Sequence, residues 1–585
     1  MGIVLKEPAT GSRVSYVTSQ GGLQEVVAAA AGSRKVGLDV ETTGLDPHSS
    51  KLRLVQIAVP GTVWVVDAWQ AGNLKPLGDL LADPSVLKVF HHATFDLKFL
   101  RAAGLREVRG LVDTMLAAQL LSCGMPGGEH NLAAVAKKYL GLDLPKELAR
   151  SDFAGPLTSD QLLYAARDAA VLLPLWEVLA KELSGLGLER AAKLEFSCAP
   201  AVADMEYAGI LLDLDAWEEL GLDLKAERNM LRRELARLLV LPGTRDLFGA
   251  STPANPNSPQ QVKAALQALG VEVPDTREST LKAVAGDHPA VQALLKCRGL
   301  EKLLSAFIEK FPQHVNPATG RIHATYDQCR AASGRFACRD PNVQQVPREA
   351  RFRRCFVAPE GKALVICDYS QIELRIAAAL SGDGRMLDAY RRGIDLHALT
   401  ASLVSGKPLD QVTKAERQAA KAVNFGLIYG MSAGGLQAYA RDSYGVRMSL
   451  EEAAEFRDRF FRAYRGIAAW HRKQRQLREV RTRAGRLRRF EGDPPATELY
   501  NTPVQGTGAD ILKRAMARLR PHLVRLGAEL VACVHDELVA ECPEETAPEL
   551  LEVMVREMEE AGKEFIPEVP VVAEGAVAKT WADKA

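Results

Sequence analysis

Two strongly apolar segments far apart in the chain, LVICDYSQIELRIAAAL (364–380) and AELVACVHDELVAECP (528–543), each begin as a buried strand and then meet carboxylates. The first reaches Asp368, the second Asp536 and Glu537. A charge at the end of a buried strand is costly unless it is paired or holds a cation. The pattern predicts one sheet that brings Asp368 and Asp536 together, where a divalent cation would relieve their repulsion.

Between these strands, ERQAAKAVNFGLIYGMS (416–432) repeats Arg417, Lys421, Phe425 and Tyr429 at every fourth position, which on a helix makes one stripe. A core stripe would be apolar at all four places, and a solvated stripe would not carry Phe and Tyr. Two cations one turn apart suit a triphosphate through charge-assisted hydrogen bonds, and the rings beyond them suit stacking on a base.

A second set of acids lies nearer the N-terminus. Residues 36–67 read as strands in a hairpin-rich start, and helices alternate with strands from about residue 73 to about 190, so an α/β domain with a mixed sheet is expected. Asp39 and Glu41, two apart in VGLDVET, leave the same face of their strand. Asp96 sits inside KVFHHATFDLKFL, an expensive place for an unpaired carboxylate. Tyr164 and Asp168 stand at i and i+4 on the helix QLLYAARDAAVL. Taken singly, each has an ordinary explanation: a surface strand edge, a core tyrosine, an aspartate paired with Arg167. Further on, 190–240 reads as charge-rich helix, LFGASTPANPNSPQQ (247–261) as an exposed loop, and the remainder from about 320 as short strands among long helices.

At 585 residues the chain exceeds what one core supports, and at least three domains are expected. An apolar content of 47% excludes the disordered classes, while no run approaches the roughly 18 apolar residues of a membrane span. The N-terminus lacks a secretory apolar core and the nine cysteines form no C-x-x-C pair, which fits a cytosol-like compartment, no membrane, and thiols that are reduced packing residues. With a net charge of +1, a polyanion would have to be met by local basic surface; HRKQRQLREVRTRAGRLRRF (471–490) is the candidate, balanced by the acidic 536–560.

R-x-x-x-K-x-x-x-F-x-x-x-Y-G, with D-Y-S-Q-I-E-L-R before it and V-H-D-E after it, resembles the fingers and palm motifs of family A DNA polymerases. SGRFACRDPNVQQVPRE (333–349), GIDLHALTA (393–401) and NTPVQGTGADILKRAM (501–516) agree, and MEYAGILLD, NSPQQ and CRGLEKLLSAF resemble thumb landmarks. Upstream, D-V-E-T-T-G-L-D, then F-D, then Y-x-x-x-D resembles the 3′-5′ proofreading exonucleases over about residues 30–185. The resemblance implies an α/β and α+β multidomain chain: an RNase H-like exonuclease in 1–190, a thumb region in 191–320, and palm and fingers in 321–585, with fingers at about 383–480. It implies a monomer that extends primer-template DNA with dNTPs, using two Mg²⁺ at each site with Mn²⁺ as a substitute.

Carried over residue by residue, the resemblance implies metal ligands at Asp368, Tyr369 and Asp536 in one site and at Asp39, Glu41, Asp96 and Asp168 in the other, with Tyr164 helping to place the attacking water. Arg417, Lys421 and His397 would grip the dNTP phosphates, and Lys421 would also donate a proton to pyrophosphate. Glu373 would block a ribose 2′-hydroxyl, Phe425 would discriminate against dideoxynucleotides, and Tyr429 would stack near the templating base. Arg335 and Gln505 would read the minor-groove side of the primer terminus, with Asn501 and His535 as further DNA contacts. Arg486 and Arg488 would touch template phosphates.

The chain departs from the family pattern in three places. His92 stands where Asn is frequent, Thr497 where many relatives have Arg, and Phe, Ala and Cys occupy S-G-R-F-A-C in place of Leu, Ser and Ser. An imidazole titrates near neutral pH, so His92 predicts an exonuclease pH profile that His92→Asn alters. Only 38 residues precede Asp39, too few for the 5′ nuclease domain of long bacterial relatives. Two other functions, a nuclease on a polymerase-like scaffold and a replication-complex interaction module, are opposed by the intact acids, because buried carboxylates without a metal cost stability.

Overall fold

The computed structural model describes residues 4–7, 10–144, 151–245 and 251–583. Its N-terminal part is organised by a seven-stranded mixed sheet of β1 (Val4–Lys6), β2 (Arg13–Val17), β3 (Lys35–Thr42), β4 (Leu52–Val59), β5 (Thr62–Asp67), β6 (Leu87–Phe90) and β7 (Leu111–Asp113), in the order β1-β2-β5-β4-β3-β6-β7. β3, β4 and β5 form the antiparallel meander that their apolar runs predict, and β3–β6 and β6–β7 are parallel. Both faces are covered. Leu38, Val40 and Ile57 pack with Leu23 and Phe99 on one side, and Leu54, Val63 and Val65 pack with Leu162 and Ala166 on the other.

Three helices flank this sheet, α1 (Ala93–Ala102), α2 (Ser159–Gly185) and α3 (Glu189–Ala208), and the first two carry site residues. α2 opens with a capping box between Thr158 and Gln161, which satisfies two backbone donors at once. Gly37 is where β3 meets α2: a Cβ there would lie 2.6 Å from the carbonyl oxygen of Ala169. Only glycine therefore lets the strand carrying Asp39 approach the helix carrying Asp168 this closely.

The C-terminal part holds a four-stranded antiparallel sheet of β8 (Lys362–Tyr369), β9 (Glu529–Val534), β10 (Glu537–Pro543) and β11 (Ala573–Ala578), ordered β9-β10-β8-β11. The two acid-tipped segments do adjoin: the register sets Asp368 opposite Glu537, and His535 and Asp536 make the turn between β9 and β10, with His535 at φ 59°. Flanking helices are α4 (Ile372–Ser381), α5 (Lys414–Ile428), α6 (Ala496–Arg525) and α7 (Ala547–Phe565). A small separate core of Leu235, Val262, Leu266, Val291 and Leu294 lies between the two modules in sequence.

The segment expected as an exposed loop, 247–261, is more ordered than that. Residues 247–250 lie outside the described residues, but Ser251–Pro253 pairs antiparallel with Val240–Arg245, and Ser258 caps a helix that starts at Pro259. Serine at the cap followed by proline is a helix start, and it outweighs the loop-like composition. No helix of the described residues is long and apolar enough to cross a membrane, and none of the nine cysteines is in a disulfide among the described residues.

Candidate active sites

In the N-terminal module β3 contributes Asp39 and Glu41, α1 Asp96, and α2 Tyr164 and Asp168. The four carboxylates share one field. Burial and then Asp168 hold Asp39 well above the usual carboxylate range, burial and then Asp39 and Asp168 do the same for Glu41, and burial and then Asp39 for Asp96. Asp168 is pushed up to about 6 by burial, against the opposing pull of the Tyr164 hydroxyl, which donates to it. Burial and the neighbouring acids raise Tyr164 in turn, so its phenol stays protonated and a donor. Among the described residues no three such side chains stand as a finished ligand shell. What fits a divalent cation is the donor set itself: four hard oxygen acids converging from three elements, each unfavourable to ionise beside the others.

Asp113 supports this arrangement and was not singled out by the sequence pattern. Its carboxylate accepts from the backbone N–H of His92 at 3.2 Å and Ala93 at 2.7 Å, capping α1, and from Met115 at 2.8 Å and Leu116 at 3.1 Å, capping the next helix. His92 is exposed at φ 68°, a left-handed conformation in which Asn, Asp and His are the favoured non-glycine residues.

In the C-terminal part a cleft of about 720 Å³ is lined by Arg417, Lys421 and Phe425 of α5, together with His397, Gln505 and Asp536. Arg335, Glu373 and His535 line it too. Three of the four stripe residues thus share the cleft. Tyr429 falls at the C-cap of α5 and its hydroxyl donates to Glu373, whose other oxygen accepts from Arg335. Glu373 therefore ties together two groups expected to touch DNA separately. Arg417 is paired with Asp395 at 2.7 Å, whereas Lys421 has no ion pair among the described residues.

His397 is 2% exposed, and burial drops it to about 4, so it is neutral. Asn424 accepts from Thr400 at 2.9 Å through Oδ1, and its amide nitrogen lies 2.9 Å from Nδ1 of His397. With its amide nitrogen on that side, Asn424 donates to Nδ1, and the imidazole proton is then on Nε2. Asp536 is pushed up to about 6 by burial, with Asp368 and Glu373 adding to it and Arg348 opposing. Arg348 and Gln344 also line the cleft; both lie in the 333–349 segment, where nothing in their spacing distinguished them. Asn501, one turn before Gln505 on α6, has a buried side-chain oxygen with no partner among the described residues.

One expectation is corrected. Arg486 is not a template-phosphate contact: its side chain is 6% exposed and bonds to Glu195 and, at 2.8 Å, to Asp510, both fully buried. Lys513, also buried, donates to Glu195 at 2.6 Å and to the carbonyls of Gln328 and Gly334 at 2.7 and 2.8 Å. Arg488 donates to the carbonyl of Gly124 in the N-terminal module, and the backbone N–H of Arg489 to that of Cys123 at 2.9 Å. The later part of the basic run is thus a β-ribbon, Glu479–Arg481 with Leu487–Arg489, fastened to the other module, while its first residues end the helix Arg465–Gln474. The Tyr369 hydroxyl donates to the Met558 carbonyl at 2.8 Å in the core, which leaves the main chain of this residue as the part that could serve a metal.

Residues 234–583 match the family model for DNA polymerase family A, and residues 14–184 that for 3′-5′ exonuclease. The chain is 35% identical to DNA polymerase I of Aquifex aeolicus over 97% of this chain and 99% of that one. It is 34% identical to DNA polymerase I of Pseudomonas aeruginosa and to the thermostable DNA polymerase I of Thermus aquaticus, over 93% and 84% of this chain but 63% and 60% of theirs. A solved structure of the POL domain of Pol1 from M. smegmatis, in complex with DNA primer-template and dNTP, aligns with a TM-score of 0.81 at 26% identity, over 97% of this chain and 99% of that one. The fold and the family matches are those of an enzyme that makes and breaks phosphodiester bonds. The chain belongs to DNA polymerase family A and carries a 3′-5′ exonuclease domain: it is a DNA-directed DNA polymerase for template-directed synthesis and proofreading.

Proposed function

We propose that the cleft lined by α5 is where a dNTP meets the primer end, with the exonuclease site formed by Asp39, Glu41, Asp96 and Asp168. The supporting observation is the convergence of Arg417, Lys421 and His397 on one cleft with Asp536. Arg417 and Lys421 supply positive charge to a triphosphate, and the Nε2–H of neutral His397 supplies a hydrogen bond without a charge. Lys421, free of an ion pair among the described residues, is the donor suited to the departing pyrophosphate. Asp368 and Asp536 would hold Mg²⁺ in pairs, as would the four acids of the exonuclease, with Mn²⁺ as a substitute; bound there, the metal lowers the pKa of an attacking hydroxyl or water and neutralises phosphoryl charge.

Gln505 and Asn501 face the primer-template from α6, and Arg335 joins them once it leaves Glu373. Tyr164 orients the water of the exonuclease through its hydroxyl. The M. smegmatis neighbour holds primer-template and dNTP, and these are the partners proposed here. The proposed division is exonuclease in 1–190, thumb in 191–320 and palm with fingers in 321–585, working as a monomer in the bacterial cytosol. Arg417→Ala tests the cleft: the KM for dNTP in primer extension should rise about tenfold or more, the loss of one charge-assisted contact, while hydrolysis of single-stranded DNA stays at the wild-type rate. An unchanged KM would overturn the assignment.

A further inference from the structure

The exonuclease match begins at residue 14, yet the chain adds an edge strand before it: β1 pairs antiparallel with β2 through Val4↔Ser15, Leu5↔Val14 and Lys6↔Arg13. The residue that follows this strand, Glu7, is fully buried. Its carboxylate accepts from Nε of Arg167 at 2.6 Å and from the backbone N–H and the hydroxyl of Thr10 at 2.5 and 2.8 Å. Arg167 is 15% exposed at its side chain and is the immediate neighbour of Asp168 on α2. Glu7 holds this guanidinium; were it released, the adjacent Asp168 is a carboxylate it could pair with instead, and that choice would decide whether Asp168 is left for a metal. A long arginine can swing between successive helix positions, about 100° apart, and Arg–carboxylate pairs are strong when shielded from water.

We propose that Glu7 is a positioning residue of the exonuclease, holding Arg167 away from Asp168 so that this carboxylate stays open to a divalent cation. The N-terminal strand is then part of the nuclease rather than decoration on its sheet. This inference rests on the reading of Asp168 as a metal ligand. A purely structural role for the Glu7–Arg167 pair would predict that any loss of the pair harms the module equally. The positioning role predicts something different: harm arises only when Glu7 is neutral and Arg167 keeps its charge.

The test compares Glu7→Gln, the double variant Glu7→Gln/Arg167→Gln, and Asp168→Ala, all as full-length protein. Mg²⁺ dependence of single-strand hydrolysis is measured, and Mn²⁺ binding is followed by electron paramagnetic resonance in a background with Asp536→Ala. Glu7→Gln should raise the Mg²⁺ concentration for half-maximal hydrolysis about tenfold, ~1.4 kcal/mol, and weaken Mn²⁺ binding by a similar factor, with primer extension unchanged. The double variant should return both readouts to within about twofold of wild type, since removing the competing charge restores the site. Wild-type Mg²⁺ dependence in Glu7→Gln would overturn the proposal. So would equal impairment of the single and double variants, which is the signature of lost packing. Full exonuclease activity in Asp168→Ala would instead bring down the metal-ligand reading beneath it.

Discussion

Arg486→Met separates two accounts of the basic ribbon. In the structure Arg486 and Lys513 face Glu195 and Asp510, two cations and two anions closed off from water, with Asp510 also accepting from Thr482 at 2.5 Å. Methionine has nearly the volume of the arginine stem but no charge, so the cluster is left with one uncompensated buried negative charge. Removing one member of such a group costs about 3–5 kcal/mol, because the remaining carboxylate has lost its partner but not its burial. Adding Glu195→Gln to Arg486→Met restores neutrality and should recover part of that loss. The assay is urea unfolding followed by circular dichroism, alongside DNA affinity at several salt concentrations. A buried Arg486 predicts a lower unfolding midpoint with an unchanged salt slope. A template-phosphate contact would behave oppositely, leaving the midpoint alone and shrinking the slope by about one; that result would refute the buried assignment.

Two further outcomes follow from the sites. The Asp168 carboxyl lies at about 6 against a usual 3.8, so the folded state favours its protonated form, and the penalty appears as pH rises from about 4 to about 6 and persists above that. In EDTA near pH 8 Asp168→Asn should therefore melt higher than wild type, a gap that closes towards pH 4 and that Mg²⁺ narrows by stabilising wild type more than the variant; no gap in EDTA would contradict the shared field. Phe425 lines the cleft, and Phe425→Tyr should relax discrimination against dideoxynucleotides; unchanged chain termination would place this helix face elsewhere.

The acids were legible because a carboxylate inside an apolar run is anomalous wherever it occurs. Asp39, Asp96, Asp368 and Asp536 each stood out this way, and the four-residue stripe of α5 needed only helical geometry to bring Arg417, Lys421 and Phe425 to one cleft. Tyr429 was legible only in part, since the helix ends at Ile428 and its hydroxyl goes to Glu373. The basic ribbon was misread for a physical reason: a run of arginines does not reveal which of them meet carboxylates distant in sequence, and Glu195 lies 291 positions from Arg486. Asp113 escaped for the same reason, because capping two helices at once is a property of their convergence. Ser258 before Pro259 was a readable helix start that loop-like composition obscured.

Extension of a 5′-labelled primer on a longer template with Mg²⁺, with and without dNTPs, separates the two sites when wild type is run beside Asp536→Ala and Asp39→Ala. Wild type should grow the primer to template length with dNTPs and shorten it without them. Asp536→Ala should lose growth and keep shortening, and Asp39→Ala should do the reverse. Loss of both activities in either variant, or growth that survives Asp536→Ala, would contradict two independent sites built on these carboxylates.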